Sequence, residues 1–112
     1  MSWFVRCNIV SVYYRFDRDE IDAQYFATID GFMAGYKEGS KIMLVGFADM
    51  SGSKEYNTKL SRDRAEGVKD YLMSKYKVAS SLITIQVGDL ATLAPGKAEL
   101  NRRVDMYLYW FD

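Results

Sequence analysis

The chain has 112 residues, and its 15 basic and 15 acidic side chains give a formal net charge of zero. One domain of this length can bury a hydrophobic core, and the 49% hydrophobic content agrees with a globular fold. The balanced charge argues against a nucleic-acid surface, which normally carries a basic excess. Histidine, the commonest general base and metal ligand, does not occur, and the single cysteine, Cys7, excludes disulfide scaffolds within one chain.

No targeting segment is visible in the sequence. The apolar runs are only a few residues long, far below the ~20 residues that a transmembrane helix needs. The first seven residues lack the basic segment and the long apolar core of a signal peptide. Two alternatives stay open, a cytosolic protein or a domain cut from a longer secreted chain.

The first part of the chain predicts a strand, a helix and a second strand. Apolar residues of one parity indicate a half-buried strand over 9–16. Asp17 followed by Glu20 has the spacing of a capping box, and the apolar arc after it predicts a helix that ends near Gly39. The dense apolar run over 41–47 predicts an interior strand.

The second part predicts a long helix and two further strands. Glycine and serine residues over 48–53 indicate a loop, and the helix after it is expected from about residue 54 to 76. Alternating apolar residues predict strands over 83–87 and 104–110, joined by a loop over 88–100.

This order of elements predicts the fold class. Strand–helix–strand units favour parallel pairing, while the last two strands have no helix of normal length between them. We therefore expect an α+β fold, an α/β sandwich, with a mixed four-stranded sheet and two long helices packed on one face. Residues 1–8 are expected to be a lead-in, and residues 9–112 the folded domain.

A charged residue interrupts the apolar stripe of the second helix. The neighbours of Arg64 at four-residue spacing are Leu60, Val68 and Leu72. A buried guanidinium needs a carboxylate or a ligand anion, and Asp49 lies just after the second strand, at the start of the loop that leads to this helix. Two interpretations stay open: an ion pair that only ties helix to strand, or a pocket with one acidic and one basic wall that suits a zwitterion.

The start of the last strand carries two more basic residues, Arg102 and Arg103. Adjacent residues of a strand point to opposite faces, so at most one of the two can face a given pocket.

A long ordered motif occupies residues 46–72, which read GFADMSGSKEYNTKLSRDRAEGVKDYL. It resembles the signature of the OmpA-like C-terminal domain family, which includes peptidoglycan-associated lipoproteins and flagellar stator proteins. The pattern of that signature is G-x-x-D-x-x-G-x-x-x-Y-N-x-x-L-S-x-x-R-A-x-x-V-x-x-Y-L. The FD at residues 16–17 and the NRRV at residues 101–104 also fit, so the resemblance covers roughly residues 9–110.

The resemblance implies non-covalent binding of peptidoglycan through the diaminopimelate residue of its stem peptide, with no catalysis, no metal and no cofactor. By the same resemblance, Asp49 and Arg64 receive the ammonium and the carboxylate of that residue. The other positions that it assigns to the pocket are Phe16, Asp17, Asn57, Leu60 and Arg102. Arg103 is expected to make a structural pair with another charged side chain. Many members have His-Thr before the aspartate, where this chain has Phe47 and Ala48, so a different rim is expected.

The family also implies a location and a role. We expect a periplasmic domain associated with the outer membrane, which anchors an outer-membrane protein to the cell wall and is a monomer or a weak dimer. Its expected partner is a stem peptide of the diaminopimelate type, with no nucleic acid, and membrane contact only through a preceding segment. The alternative is a protein–protein docking or dimerisation module of the cell envelope, because aromatic strands and an exposed sheet edge suit a partner chain.

Overall fold

The computed structural model describes residues 3–49, 52–88 and 97–111, and their side chains over 9–49, 52–88 and 97–110. The strands are β1 Trp3–Tyr13, β2 Lys41–Gly46, β3 Ile83–Val87 and β4 Arg103–Phe111. The helices are α1 Phe26–Met33, α2 Lys54–Tyr76 and the short α3 Ala98–Asn101. Turns of 3-10 helix precede α1, at Ala23–Tyr25, and β3, at Ser80–Leu82. Within this part of the chain, no helix is both long and apolar enough to cross a membrane.

The four strands form one mixed sheet in the order β1-β4-β2-β3. Strand β4 lies antiparallel to both of its neighbours, while β2 and β3 run parallel on either end of the crossover through α2. One side of the sheet packs against α1 and α2 in a single apolar core, which includes Val12, Ile29, Leu44, Val68, Leu72 and Met106. The predicted α+β architecture is confirmed, although the first helix is shorter than expected.

Strand β1 differs from its prediction at both ends. It begins at Trp3, inside the expected lead-in, and pairs with β4 from Trp3 opposite Phe111 to Tyr13 opposite Arg103. The register shifts between Arg6 and Val10, which interrupts the alternation and hides the first part of the strand from a pattern of period two. Phe16, predicted to be within the strand, lies in the turn after it.

The predicted capping box at Asp17 and Glu20 is wrong. Asp17 has a left-handed φ of 58°, and the residue that caps the first helical turn is Asp22, whose side chain accepts from the backbone N–H of Gln24. The segment after β1 is a loop because the backbone carbonyls of Arg15 and Arg18 point at a buried side chain of α2. Helix α1 ends at Met33, well before Gly39, whose φ of +86° turns the chain into β2.

Helix α2 has the predicted bounds, because its first turn carries a strong local signal. The Ser53 hydroxyl caps it by accepting from the N–H of Tyr56 at 3.2 Å. The helix crosses β2 at very close range, since a Cβ on Gly46 would lie 2.0 Å from the backbone oxygen of Ser61. This close approach holds the first turns of α2 over the end of β2.

The two remaining strands lie close to their predicted positions. Strand β3 has the predicted bounds, and β4 extends one residue beyond its prediction at each end. The predicted loop over 88–100 ends in the short helix α3. Residues 89–96 of that loop, with Pro95, lie outside the described residues, as do residues 50 and 51 of the loop before α2.

Candidate functional site

A cleft of about 410 Å³ opens where β1 and β2 end and α2 begins. The residues that line it are Phe16, Asp17, Asp49, Gly52, Ser53, Tyr56, Asn57, Leu60 and Arg64. They include six of the seven site residues that the sequence predicts, and the seventh, Arg102, contacts the side chain of Asp49. The structure thus brings the predicted residues together, and their role in binding stays a prediction.

The guanidinium of Arg64 forms the floor of the cleft and is 0% exposed. Its Nε donates to the backbone oxygen of Arg18 at 2.8 Å, Nη1 to that of Phe47 at 3.1 Å and Nη2 to that of Arg15 at 3.3 Å. These bonds use three of the five N–H groups of the guanidinium, and the described residues accept from neither of the other two. Arg64 therefore combines a structural role with two N–H groups that the described residues do not use, at the floor of the cleft.

The groups around Arg64 shift the pKa of its guanidinium in opposite directions. Burial is the largest influence and lowers the pKa of the guanidinium below its ordinary value, while Tyr14 and the carboxylate of Asp49 offset part of this shift. An arginine stays protonated in such surroundings because its ordinary pKa is so high. Its Cζ lies 5.1 Å from the centre of the Tyr14 ring, and burial raises the pKa of that phenol. The floor of the cleft is thus a fixed positive charge.

Asp49 pairs with Arg102 rather than with Arg64. Nη1 of Arg102 lies 3.2 Å from Oδ2 of Asp49, and Nε of Arg102 donates to the backbone oxygen of Tyr14 at 3.1 Å. Arg102 therefore ties together β1, β4 and the loop after β2. The three Arg64 donors that the described residues accept from go to backbone carbonyls, so among these residues a direct hydrogen bond from Arg64 to Asp49 is not seen, although the Asp49 carboxylate raises the Arg64 pKa.

Arg103 points to the opposite face of the sheet and makes the structural pair that was expected of it. Its Nε donates to Asp105 at 3.0 Å, and its Nη1 donates to the backbone oxygen of Leu100 at 2.9 Å. Its Cζ also lies 4.2 Å from the centre of the Phe47 ring. A Cβ on Gly88 would lie 2.0 Å from the same ring. Phe47 is thus enclosed on two sides, which fixes the backbone oxygen that accepts from Arg64.

Sequence reasoning missed Tyr56, Gly52 and Ser53 in the lining of the cleft. The hydroxyl of Tyr56 donates to the carboxylate of Asp17 and so links α2 to the loop after β1. The spacing contains a signal for it, because Tyr56 precedes Leu60 by four residues and therefore shares its helix face.

Asn57 has a different role from the charged residues. Its Nδ2 donates to the backbone oxygen of Gly52 at 3.1 Å, and its own backbone oxygen accepts from the hydroxyl of Ser61 at 2.7 Å. It therefore fixes the loop at the start of α2. Among the described residues, no group of three or more His, Cys, Asp or Glu side chains is arranged to hold a metal ion.

The chain is similar in sequence to curated proteins whose names place them in the bacterial cell envelope. The chain is 36% identical over 95 residues to outer membrane protein 41 of Porphyromonas gingivalis, covering 84% of this chain and 24% of that protein. It is 32% identical over 81 residues to the peptidoglycan-associated lipoprotein of Pasteurella multocida, covering 70% of this chain and 54% of that protein. The chain thus spans about a quarter of the length of the first relative and about half of the second.

Comparison with solved structures gives the same fold. The crystal structure of the peptidoglycan-associated lipoprotein from Burkholderia pseudomallei matches with a TM-score of 0.71 and 25% identity, covering 89% of each chain. The cell wall anchor of the T6SS from Pseudomonas aeruginosa has the same fold, with a TM-score of 0.71 and 17% identity over 97% of this chain and 88% of that chain. The OmpA family matches this sequence over residues 13–104, which is most of its length. The chain therefore belongs to the OmpA family.

Proposed function

We propose that this domain binds peptidoglycan non-covalently and anchors an outer-membrane protein to the cell wall. Its membership of the OmpA family and its similarity to proteins named peptidoglycan-associated lipoproteins support the proposal. The proposed role requires binding alone and contains no catalytic step. It implies a periplasmic location next to the outer membrane.

We further propose that the ligand group is the zwitterionic end of diaminopimelate in the stem peptide. The observation that carries this proposal is the pairing of opposite charges in one cleft, with the carboxylate of Asp49 on its wall and the two spare N–H groups of Arg64 on its floor. A ligand ammonium suits the carboxylate, and a ligand carboxylate suits the guanidinium. The ion pair with Arg102 holds Asp49 at the cleft before a ligand arrives.

The expected affinity of one site is modest. Hydrogen bonds to charged groups contribute about 1.5–3 kcal/mol each, so two such contacts correspond to a dissociation constant between tens of micromolar and several millimolar, by order of magnitude. The cell wall is a polymer that presents many copies of the ligand, so several anchored domains can hold it together far more tightly than one.

Isothermal titration calorimetry with two stem peptides tests the proposal. Lysine carries the side-chain ammonium but lacks the carboxylate beside it, so we expect the diaminopimelate peptide to bind more tightly than the lysine peptide. Equal affinity for both peptides would contradict the diaminopimelate specificity. Absence of binding to either peptide and to purified cell wall would contradict peptidoglycan binding itself.

Variants then test the residues. Asp49→Asn keeps the shape of the side chain and removes its charge, so we expect it to weaken binding of the diaminopimelate peptide about tenfold or more. Asp70→Asn is the matched control, because Asp70 is an exposed carboxylate on α2 outside the cleft. Equal affinity for the Asp49 variant and this control would contradict the site.

A further inference from the structure

An apolar wall stands beside the charged part of the cleft. Phe16 is 63% exposed and Tyr56 is 41% exposed, and both line the cleft together with Leu60, which lies one helical turn after Tyr56. Four large hydrophobic side chains are exposed among the described residues, and this one cleft holds two of them. Single exposed apolar residues are ordinary, whereas a group of them on one concave surface indicates a contact surface.

The two aromatic rings belong to segments that are fixed in place. The hydroxyl of Tyr56 donates to the carboxylate of Asp17, which directly follows Phe16. Asp17 has a left-handed φ of 58°, a conformation that aspartate tolerates better than most residues with a Cβ, and the bond from Tyr56 helps to hold it there. The carboxylate also raises the pKa of the Tyr56 phenol, so the hydroxyl keeps the proton that it donates. The Tyr56 ring and the backbone that carries Phe16 are thus held in place before a ligand binds, which lowers the entropy cost of binding.

We infer that the wall of Phe16, Tyr56 and Leu60 is a second subsite, which takes an uncharged aliphatic group next to the zwitterion of the ligand. This inference rests on the proposed function. Asp49 and Arg64 match the charged groups of diaminopimelate, and the wall lies beside them in the same cleft, where it can contact a neighbouring part of the polymer. The group that this subsite binds presents C–H groups on its surface, and aromatic rings pack well against such a surface.

Two parts of peptidoglycan carry such a surface. One is the methyl group of an alanine residue in the stem peptide, and the other is the C–H face of a sugar ring in the glycan strand. Four probes separate these sources: diaminopimelate alone, the tripeptide that ends in diaminopimelate, the tetrapeptide with a further alanine, and the tripeptide joined to its disaccharide.

Calorimetry on the full chain with these four probes tests the inference. We expect at least one extended probe to bind roughly three- to tenfold more tightly than diaminopimelate alone. A gain with the tripeptide or the tetrapeptide indicates an alanine methyl group, and a gain that needs the disaccharide indicates the sugar ring. Phe16→Ala and Tyr56→Ala should remove most of that gain, so their loss of affinity is larger for the extended probe than for diaminopimelate. Equal losses for both probes would contradict a separate subsite.

Two further variants test whether the gain in affinity depends on the aromatic ring and on its position in the cleft. Tyr56→Phe keeps the ring and removes the bond to Asp17, so we expect it to retain more of the gain than Tyr56→Ala does. Ile9→Ala is the matched control, because Ile9 is an exposed apolar residue outside the cleft and should keep the whole gain. Circular dichroism confirms that each variant is folded before it is titrated.

The outcomes also separate this inference from the proposed function. If diaminopimelate binds and no extended probe binds more tightly, the aromatic wall is not a subsite and the zwitterion site stands. If no probe binds to the unaltered chain, the proposed function fails, and the subsite that rests on it fails too.

Discussion

At the scale of single residues, Arg64 has two roles: it holds neighbouring segments together, and it forms part of the cleft. A buried guanidinium is unfavourable unless acceptors surround it, and three backbone carbonyls from two separate segments supply them. The same bonds hold the loop after β1 and the end of β2 against α2, and these are the segments that form the cleft. Stability and the proposed binding therefore depend on one side chain.

Arg64→Lys tests this dependence on shape rather than on charge. Lysine keeps the positive charge, but its single ammonium cannot reach three carbonyls that lie around a planar guanidinium. We expect the free energy of unfolding to fall by about 1–3 kcal/mol, because buried acceptors lose their donors. Urea denaturation measures this change, and Arg62→Lys, at an exposed position of the same helix, is the control. A loss no larger than that of the control would contradict the role given to the carbonyls.

How far the sequence predicts this site is clearest at Arg64. Its interruption of an apolar stripe showed that the guanidinium is buried and needs partners. Its actual partners could not be predicted, because backbone carbonyls carry no signature in the sequence and their direction depends on the loop after β1. Asp49 lines the cleft, and its ion pair with Arg102 could not be predicted, because it joins parts of the chain that are far apart in sequence and meet only in the folded sheet.

At the scale of elements, the accuracy of the predicted bounds depends on whether neighbouring residues in the sequence determine where each element begins and ends. Helix α2 has a serine cap and a long apolar periodicity, so its bounds follow from neighbouring residues. Helix α1 has an equally clear apolar arc, yet it begins late, because the loop before it supplies backbone carbonyls to Arg64 and no local sequence pattern reveals that requirement. The beginning of β1 was missed because the register shift breaks its alternation.

Two glycine substitutions test how closely α2 must approach β2. A Cβ on Gly46 would lie 2.0 Å from the backbone oxygen of Ser61, so Gly46→Ala has to push the helix away from the sheet. We expect a loss of about 1–3 kcal/mol in the free energy of unfolding, as for other overpacked sites.

Gly31→Ala is the matched substitution within α1. A Cβ there meets nothing within 4 Å, and alanine favours a helix interior, so we expect the variant to gain about 0.5–1 kcal/mol. Thermal and urea unfolding of both variants measure the difference. Equal effects of the two substitutions would contradict the importance of the close approach.

At the scale of the whole molecule, one carboxylate of α1 contacts three side chains at the end of α2 farthest from the cleft. Asp30 accepts hydrogen bonds from the hydroxyls of Tyr71 and Tyr76, and Nζ of Lys75 lies 2.9 Å from its Oδ2. The long helix is therefore held at both ends, by Arg64 near the cleft and by Asp30 at the opposite end. The carboxylate provides a way to test the distant contact without touching the cleft.

The stability of that contact should depend on pH. The Tyr76 hydrogen bond, followed by that of Lys75, lowers the pKa of Asp30 below its ordinary value of 3.8. Because the folded-state pKa is the lower one, the carboxylate stabilises the fold above the ordinary value, and this contribution is lost as pH falls through the folded pKa. We expect Asp30→Asn to lower the melting temperature at pH 7 and to reduce its fall below about pH 4. Asp70→Asn, the exposed control, should keep the steeper fall, and parallel melting curves for the two variants would contradict the role of Asp30.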